Sequence, residues 1–210
     1  MNIRVSRGKV VTIPEIKLNI VWLLKPVVFL ACLIPLFMVV AGVADNKFVD
    51  PVEALLHNSG AWALRFLLIT LCITPAQCIL NRAIIAKFRR MIGLFAFFYA
   101  SVHLGVWVAL DQGLNVADAL SAIVEQKFIT VGIIAWLGLL MLAVTSNRFA
   151  VRKLGRKWKK LHNWVYILSV IAVVHFIWQV KGSELMEPLT YLGVLAALLL
   201  WRFVRVLKRQ

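Results

Sequence analysis

Residues 91–110, MIGLFAFFYASVHLGVWVAL, and residues 161–180, LHNWVYILSVIAVVHFIWQV, decide how this chain folds. Neither run contains a Lys, Arg, Asp or Glu; Arg90 and Asp111 bracket the first, Lys160 and Lys181 the second. About 20 apolar residues in a helix, rising 1.5 Å each, cross the hydrocarbon core of a bilayer. Both runs therefore read as membrane-spanning helices, and each carries one histidine deep inside it, His103 and His175.

Four more runs have the same character. Residues 27–44, VVFLACLIPLFMVVAGVA, lie between Lys25 and Asp45 and extend back to about Asn19, with a local kink expected at Pro35. The second span reads from about Gly60 to Leu80, with Arg65 in its first turns. Lys127 and Arg148 enclose FITVGIIAWLGLLMLAVTSN, and the last span runs from Pro188 to about Val204, its Arg202 and Arg205 snorkelling to the interface. The fold class is thus an all-α integral membrane protein, a six-helix bundle: a basic N-terminal segment (1–18), a transmembrane region (19–204) and a basic tail (205–210). Composition agrees, since 62% of the 210 residues are hydrophobic, against roughly 45–50% apolar in soluble domains.

The net charge of +15, from 24 Lys+Arg against 9 Asp+Glu, is distributed by side. Loops 44–58 and 111–127 and segment 181–187 hold eight of the nine acids, the last of these carrying Glu184 and Glu187. Loops 81–90 and 147–160 carry Arg and Lys with no acid, and the tail ends in Arg202, Arg205, Lys208 and Arg209. The positive-inside rule then places both termini in the cytoplasm. Basic charge confined to span ends argues for lipid contact and against nucleic acid. Cys32, Cys72 and Cys78 lie in or at the ends of apolar runs, so a disulfide framework is not expected, and no CxxCH offers covalent heme attachment. The loops are too short for an appended catalytic module, and no internal repeat is visible.

Ionisable groups inside a membrane are costly and mark function. Counted from the basic side, His103 lies about 18 Å and His175 about 20 Å into the bilayer. Two imidazoles at one depth on two helices suit the two faces of one b-type heme; the alternative is a pair of structural residues hydrogen-bonding between helices. Ala100 and Ala172, one turn earlier, leave room for a flat macrocycle. Trp107 and Trp178, one turn later, either pack on its edge or belong to an aromatic belt. His162, thirteen residues before His175, lies about 140° around the helix from it. It either ligates a second heme, meets a flavin or quinone headgroup, or is an ordinary interfacial residue. His57 and its neighbours, HNSG, read as a loop before the second span, with Asn58 or Ser59 capping the helix start. Arg65 either snorkels or pairs with a heme propionate. Arg89 and Arg90 pair either with anionic lipid or with a flavin phosphate.

Residues 57–75 (HNSGAWALRFLLITLCITP), 89–107 (RRMIGLFAFFYASVHLGVW), 128–146 (FITVGIIAWLGLLMLAVTS) and 153–178 (KLGRKWKKLHNWVYILSVIAVVHFIW) carry a resemblance. Over about residues 55–182 the chain resembles the MsrQ (YedZ) family, the heme-binding membrane subunits of bacterial periplasmic methionine sulfoxide reductase systems, within the ferric-reductase-like transmembrane group. The resemblance implies a b-type cytochrome of the inner membrane. It implies heme ligands at His103, His175 and His162, and FMN as a further cofactor with no recognisable motif. It also implies electrons from the quinone pool or a cytosolic flavin reductase, passed to a periplasmic molybdopterin methionine sulfoxide reductase that repairs oxidised proteins. Two other readings stay open: a stand-alone transmembrane ferric or quinone reductase, which turns over without a protein partner, and a non-redox transporter or scaffold, which purifies colourless.

Overall fold

The structure is a computed structural model describing residues 17–180 and 185–208; Lys181, Glu184, Arg209 and most of the basic N-terminal segment lie outside the described residues. The chain runs α1 (Lys17–Ala44), α2 (Pro51–Ile79), α3 (Arg89–Val106), α4 (Val116–Glu125), α5 (Lys127–Val144), α6 (Arg148–Leu154), α7 (Arg156–His162), α8 (Val165–Gln179) and α9 (Met186–Leu207), with no strand among the described residues. A 3-10 turn, Ala83–Phe88, leads into α3, and a π turn, Trp107–Asp111, leaves it. Six segments are long and apolar enough to cross a membrane, in the order the charge-free runs give: Val21–Ala44, Pro51–Ile79, Ala83–Asp111, Lys127–Val144, Arg156–Gln179 and Met186–Leu207.

Their outward faces are apolar. Phe37 is 74% exposed and Leu30, Leu200 and Phe203 are similarly open. In water such surface is a liability; in lipid it is solvated. Helices satisfy most of their backbone groups internally, as a bilayer requires. The chain is a multi-pass membrane protein.

Helix α2 is the hub. Its Phe66 and Leu67 pack with Phe95, Ala96 and Tyr99 of α3, Leu139 and Leu142 of α5 and Leu168 of α8. Another stripe of α2, Leu64, Leu68 and Leu71, meets Val173 of α8 and Leu195 of α9. Helices α1 and α9 therefore lie outside a four-helix centre formed by α2, α3, α5 and α8.

The start of α2 differs from expectation. It begins at Pro51, nine residues before Gly60, capped by Asp50, whose carboxylate accepts from the Val52 and Glu53 amides at 2.9 Å each. Asp-Pro-x-Glu is a helix-start pattern, with a capping acid and proline at the first helical position. Charge gaps alone hid it, because its acids looked like a loop. HNSG is consequently helical: Ser59 Oγ donates back to the Leu55 carbonyl at 2.6 Å and caps nothing. Arg65 is not in the first turns either, since it follows Pro51 by about 21 Å of helix.

Pro35 lies within α1 as expected, and another helix fills the disruption. The Tyr99 hydroxyl of α3 donates to the Cys32 carbonyl at 2.8 Å and accepts from the Leu36 amide at 3.1 Å. It stands between two groups that an undisturbed helix joins directly. Tyr99 is fully buried one turn before His103, so this bridge ties α1 to the histidine-bearing helix. Tyr99→Phe removes the bridge and keeps the ring. We expect a loss of about 0.6–1.7 kcal/mol, the range for interhelical hydrogen bonds in membranes, read by reversible unfolding in mixed micelles; unchanged stability would show that the bridge contributes nothing.

Candidate functional site

His103 of α3 and His175 of α8 come together. Their ring centroids are 6.3 Å apart with planes inclined at 81°. A metal held about 2 Å from a nitrogen of each ring separates the centroids by roughly 6.4 Å when each ring's radius of about 1.2 Å is added. The spacing thus fits one metal ion between two imidazoles.

The ring nitrogens are assigned by their partners. His103 Nδ1 lies 2.9 Å from the Leu56 carbonyl of α2, and His175 Nδ1 lies 2.7 Å from the Phe128 carbonyl of α5. A carbonyl only accepts, so each Nδ1 carries the hydrogen and each Nε2 keeps its lone pair. A neutral imidazole with its second nitrogen so anchored is the usual state of a metal ligand. Both carbonyls lie 47 residues before their histidine. Each belongs to the residue four before a glycine, Gly60 or Gly132, on which the ring rests. The α2–α3 and α5–α8 pairs therefore share one arrangement.

Around this pair, Ala100 and Ala172 pack against the central cluster. Trp107 opens the π turn that follows His103, an irregularity of the kind often found at functional sites. Trp178 is 57% exposed and faces outward, as an aromatic belt residue does.

The two ends of the bundle are chemically opposite. At the acidic end, Arg65 Nε donates to Tyr191 Oη at 2.7 Å, its NH2 nitrogen is 3.4 Å from a Glu187 carboxylate oxygen, and its guanidinium lies 4.9 Å from the Trp62 ring centre. His57, also on α2, is 3.4 Å from the other oxygen of Glu187 and beside Phe176. This network was not legible in the sequence, because Arg65 and Tyr191 lie 126 residues apart and Arg65 and Glu187 lie 122 apart.

At the basic end a cavity of about 970 Å³ opens among α2, α3, α5, α6, α7, α8 and α9. Arg89, Arg90, Arg152, Lys159 and Arg202 line it together with His162. Arg89 donates to Thr74 Oγ1 at 2.7 Å. His162 stacks on Trp158 at 4.0 Å, with Nε2 3.3 Å from Ser146 Oγ and Nδ1 3.3 Å from the Trp158 carbonyl. No second histidine lines the cavity among the described residues. Thirteen residues before His103, where α8 has His162 relative to His175, α3 has Arg90. His162 is thus brought together with Arg89 and Arg90 and held apart from the His103–His175 pair.

Residues 59–173 match the family described as ferric reductase like transmembrane component. The protein-methionine-sulfoxide reductase heme-binding subunit MsrQ of Brucella anthropi is 43% identical over 185 residues, 88% of this chain and 82% of that one. The subunits of the same name from Xanthomonas euvesicatoria (47% identical, 77% of this chain and 73% of that one) and Bordetella pertussis (42%, 89% and 92%) are similar.

The pairing of Arg65 with Glu187 is measurable by a double-mutant cycle using Arg65→Leu and Glu187→Gln. Both groups are more than a third exposed, so the expected coupling is about 0.2–1 kcal/mol of unfolding free energy. Strictly additive single effects would show that the pair is not formed.

Proposed function

The chain belongs to the MsrQ family within the ferric-reductase-like transmembrane group, and from that premise we propose that it is the membrane b-type cytochrome of a methionine sulfoxide reductase system. It sits in the bacterial inner membrane with both termini in the cytoplasm. It carries electrons from the quinone pool or a cytosolic flavin reductase to a periplasmic molybdopterin methionine sulfoxide reductase, for repair of oxidised periplasmic proteins. The observation that carries this reading is the meeting of His103 and His175 from separate helices, each with its free nitrogen available.

Heme, when bound, would be held by His103 and His175 and would supply reversible one-electron chemistry. The chain's residues do the rest. His103 and His175 present their Nε2 lone pairs from opposite sides. The Leu56 and Phe128 carbonyls lock the ring orientations. Ala100 and Ala172, small and one turn before the rings, leave room for a flat macrocycle, and Trp107 lies one turn past His103. Arg65, held at the acidic end by Glu187 and Tyr191, offers its remaining donors to a propionate. The apolar α2–α3–α5–α8 core around the pair keeps water out.

The basic cavity is the donor side in this reading. Arg89 and Arg90 supply cations for the phosphate of FMN, and the stacked His162–Trp158 face supplies an aromatic wall for a flavin or quinone ring. His162 serves there as a contact of that ring. Its two nitrogens already have partners, and no opposing histidine lines the cavity among the described residues, which weighs against a second iron held as the first is. The acidic end, nearer His103 and His175, faces the periplasmic partner.

Detergent-purified protein should show a reducible Soret band that is largely lost in His103→Ala and in His175→Ala and kept in His162→Ala; full heme in either of the first two variants would sink the ligand assignment. For orientation, reporter fusions after Asn46 and after Leu114 should read periplasmic, and fusions after Gly155 and at the C-terminus cytoplasmic. The reverse pattern would overturn the stated direction of transfer.

A further inference from the structure

The two imidazoles are held by the same device, and its two copies are not equal. Each ring lies against a glycine of the neighbouring helix. A Cβ on Gly60 would stand 3.1 Å from Cε1 and Nδ1 of His103. A Cβ on Gly132 would stand 2.8 Å from Cε1 and 3.0 Å from Nδ1 of His175. Any side chain at these positions pushes the ring off the carbonyl it reaches. The missing Cβ therefore sets the length of both Nδ1–H···O=C bonds.

The copies differ in what else the carbonyl holds. The Leu56 carbonyl accepts from His103 at 2.9 Å and is also 3.1 Å from Ser59 Oγ, whose single proton it shares with the Leu55 carbonyl at 2.6 Å. Ser59 is fully buried, and its hydroxyl is also 3.5 Å from His103 Nδ1. The Phe128 carbonyl accepts from His175 at the shorter distance of 2.7 Å. The hydroxyl at the position matching Asn58 in the other copy, Thr130 Oγ1, donates instead to the Ile123 carbonyl. His103 shares its anchor with a hydroxyl, and His175 does not.

We propose that Gly60, Gly132 and Ser59 are positioning residues that set the redox potential of the iron held between His103 and His175. An imidazole that donates Nδ1–H strongly becomes a more basic ligand through Nε2. A more basic ligand stabilises the oxidised, more positive iron and lowers the potential. Gly132 acts in that direction by letting His175 approach Phe128. Ser59 acts against it by competing for the Leu56 carbonyl, which leaves His103 the weaker donor. The two glycines and the serine thus tune one potential with opposite signs. This inference rests on the bis-histidine heme reading above.

Potentiometric titration of full-length protein in detergent, with heme content and low-spin EPR recorded for each variant, tests it. Gly132→Ala should raise the midpoint potential, Gly60→Ala should raise it, and Ser59→Ala should lower it, each with shifted EPR g-values. General loosening of the bundle would move all three the same way. Where an alanine at either glycine expels heme, Ser59→Ala decides the matter alone, since it removes a single oxygen. A Ser59→Ala potential that is unchanged or raised overturns the proposal. Heme-replete variants that share the wild-type potential sink this inference and leave the ligand reading standing. Wild-type protein without heme, or histidine variants that keep it, sinks both.

Discussion

Two hydrogen bonds in the membrane interior, His103 Nδ1 to the Leu56 carbonyl and His175 Nδ1 to the Phe128 carbonyl, are the constraint on which the rest of the molecule turns. Hydrocarbon offers no solvent partner to an imidazole, so a histidine there must spend one nitrogen on the protein. Spending Nδ1 on a helix carbonyl leaves Nε2 free and fixes the direction of its lone pair. The packing follows from that choice. Helix α3 must lie against α2 at Gly60, and α8 against α5 at Gly132, because only there can a ring reach the backbone. The two pairs then bring their histidines to a common level.

The irregular features of the chain gather around those pairs. Helix α1 is broken at Pro35, and Tyr99, one turn from His103, supplies the hydroxyl that bridges the break. Helix α3 loosens into a π turn just past His103. Arg65, half-buried along α2, is met by Tyr191 and Glu187 at the first turns of α9. Each departs from a plain apolar helix, and the first and last are satisfied by a side chain from another element. A bilayer tolerates such features only on those terms. Together they tie the outer helices α1 and α9 to the four-helix centre.

Charge separates the two ends for reasons beyond topology. The basic end gathers Arg89, Arg90, Arg152, Lys159 and Arg202 around a cavity with an aromatic wall of Trp158 and His162. The acidic end carries Asp50, Glu53, Asp111, Asp118, Glu125 and Glu187 near the histidine pair. An electron carrier of the kind proposed above would need two distinct faces, one for its donor and one for its acceptor. A basic cavity suits an anionic cofactor, and an acidic rim suits a soluble partner of opposite charge. His162 belongs by position to the first face and His103 and His175 to the second.

Six spans, their order and the opposite charge of the two ends were legible in the sequence, because hydropathy and charge act along the chain and lipid enforces them locally. The matched depth of His103 and His175 was legible for the same reason, since depth follows from counting residues at a fixed rise. The start of α2 was legible in Asp50-Pro51-x-Glu53 and was hidden only by its acids. Other features depend on how helices rotate about their axes and which faces they turn to each other. That angular choice alone decides that Leu56 and Phe128 anchor the imidazoles, that Tyr99 fills the break in α1, that Arg65 finds Glu187, and that His162 faces arginines. The hydrogen-bonded partners among these stand 47 to 122 residues apart. No periodicity read along a uniformly apolar helix distinguishes one face from another, so only tertiary packing determined them.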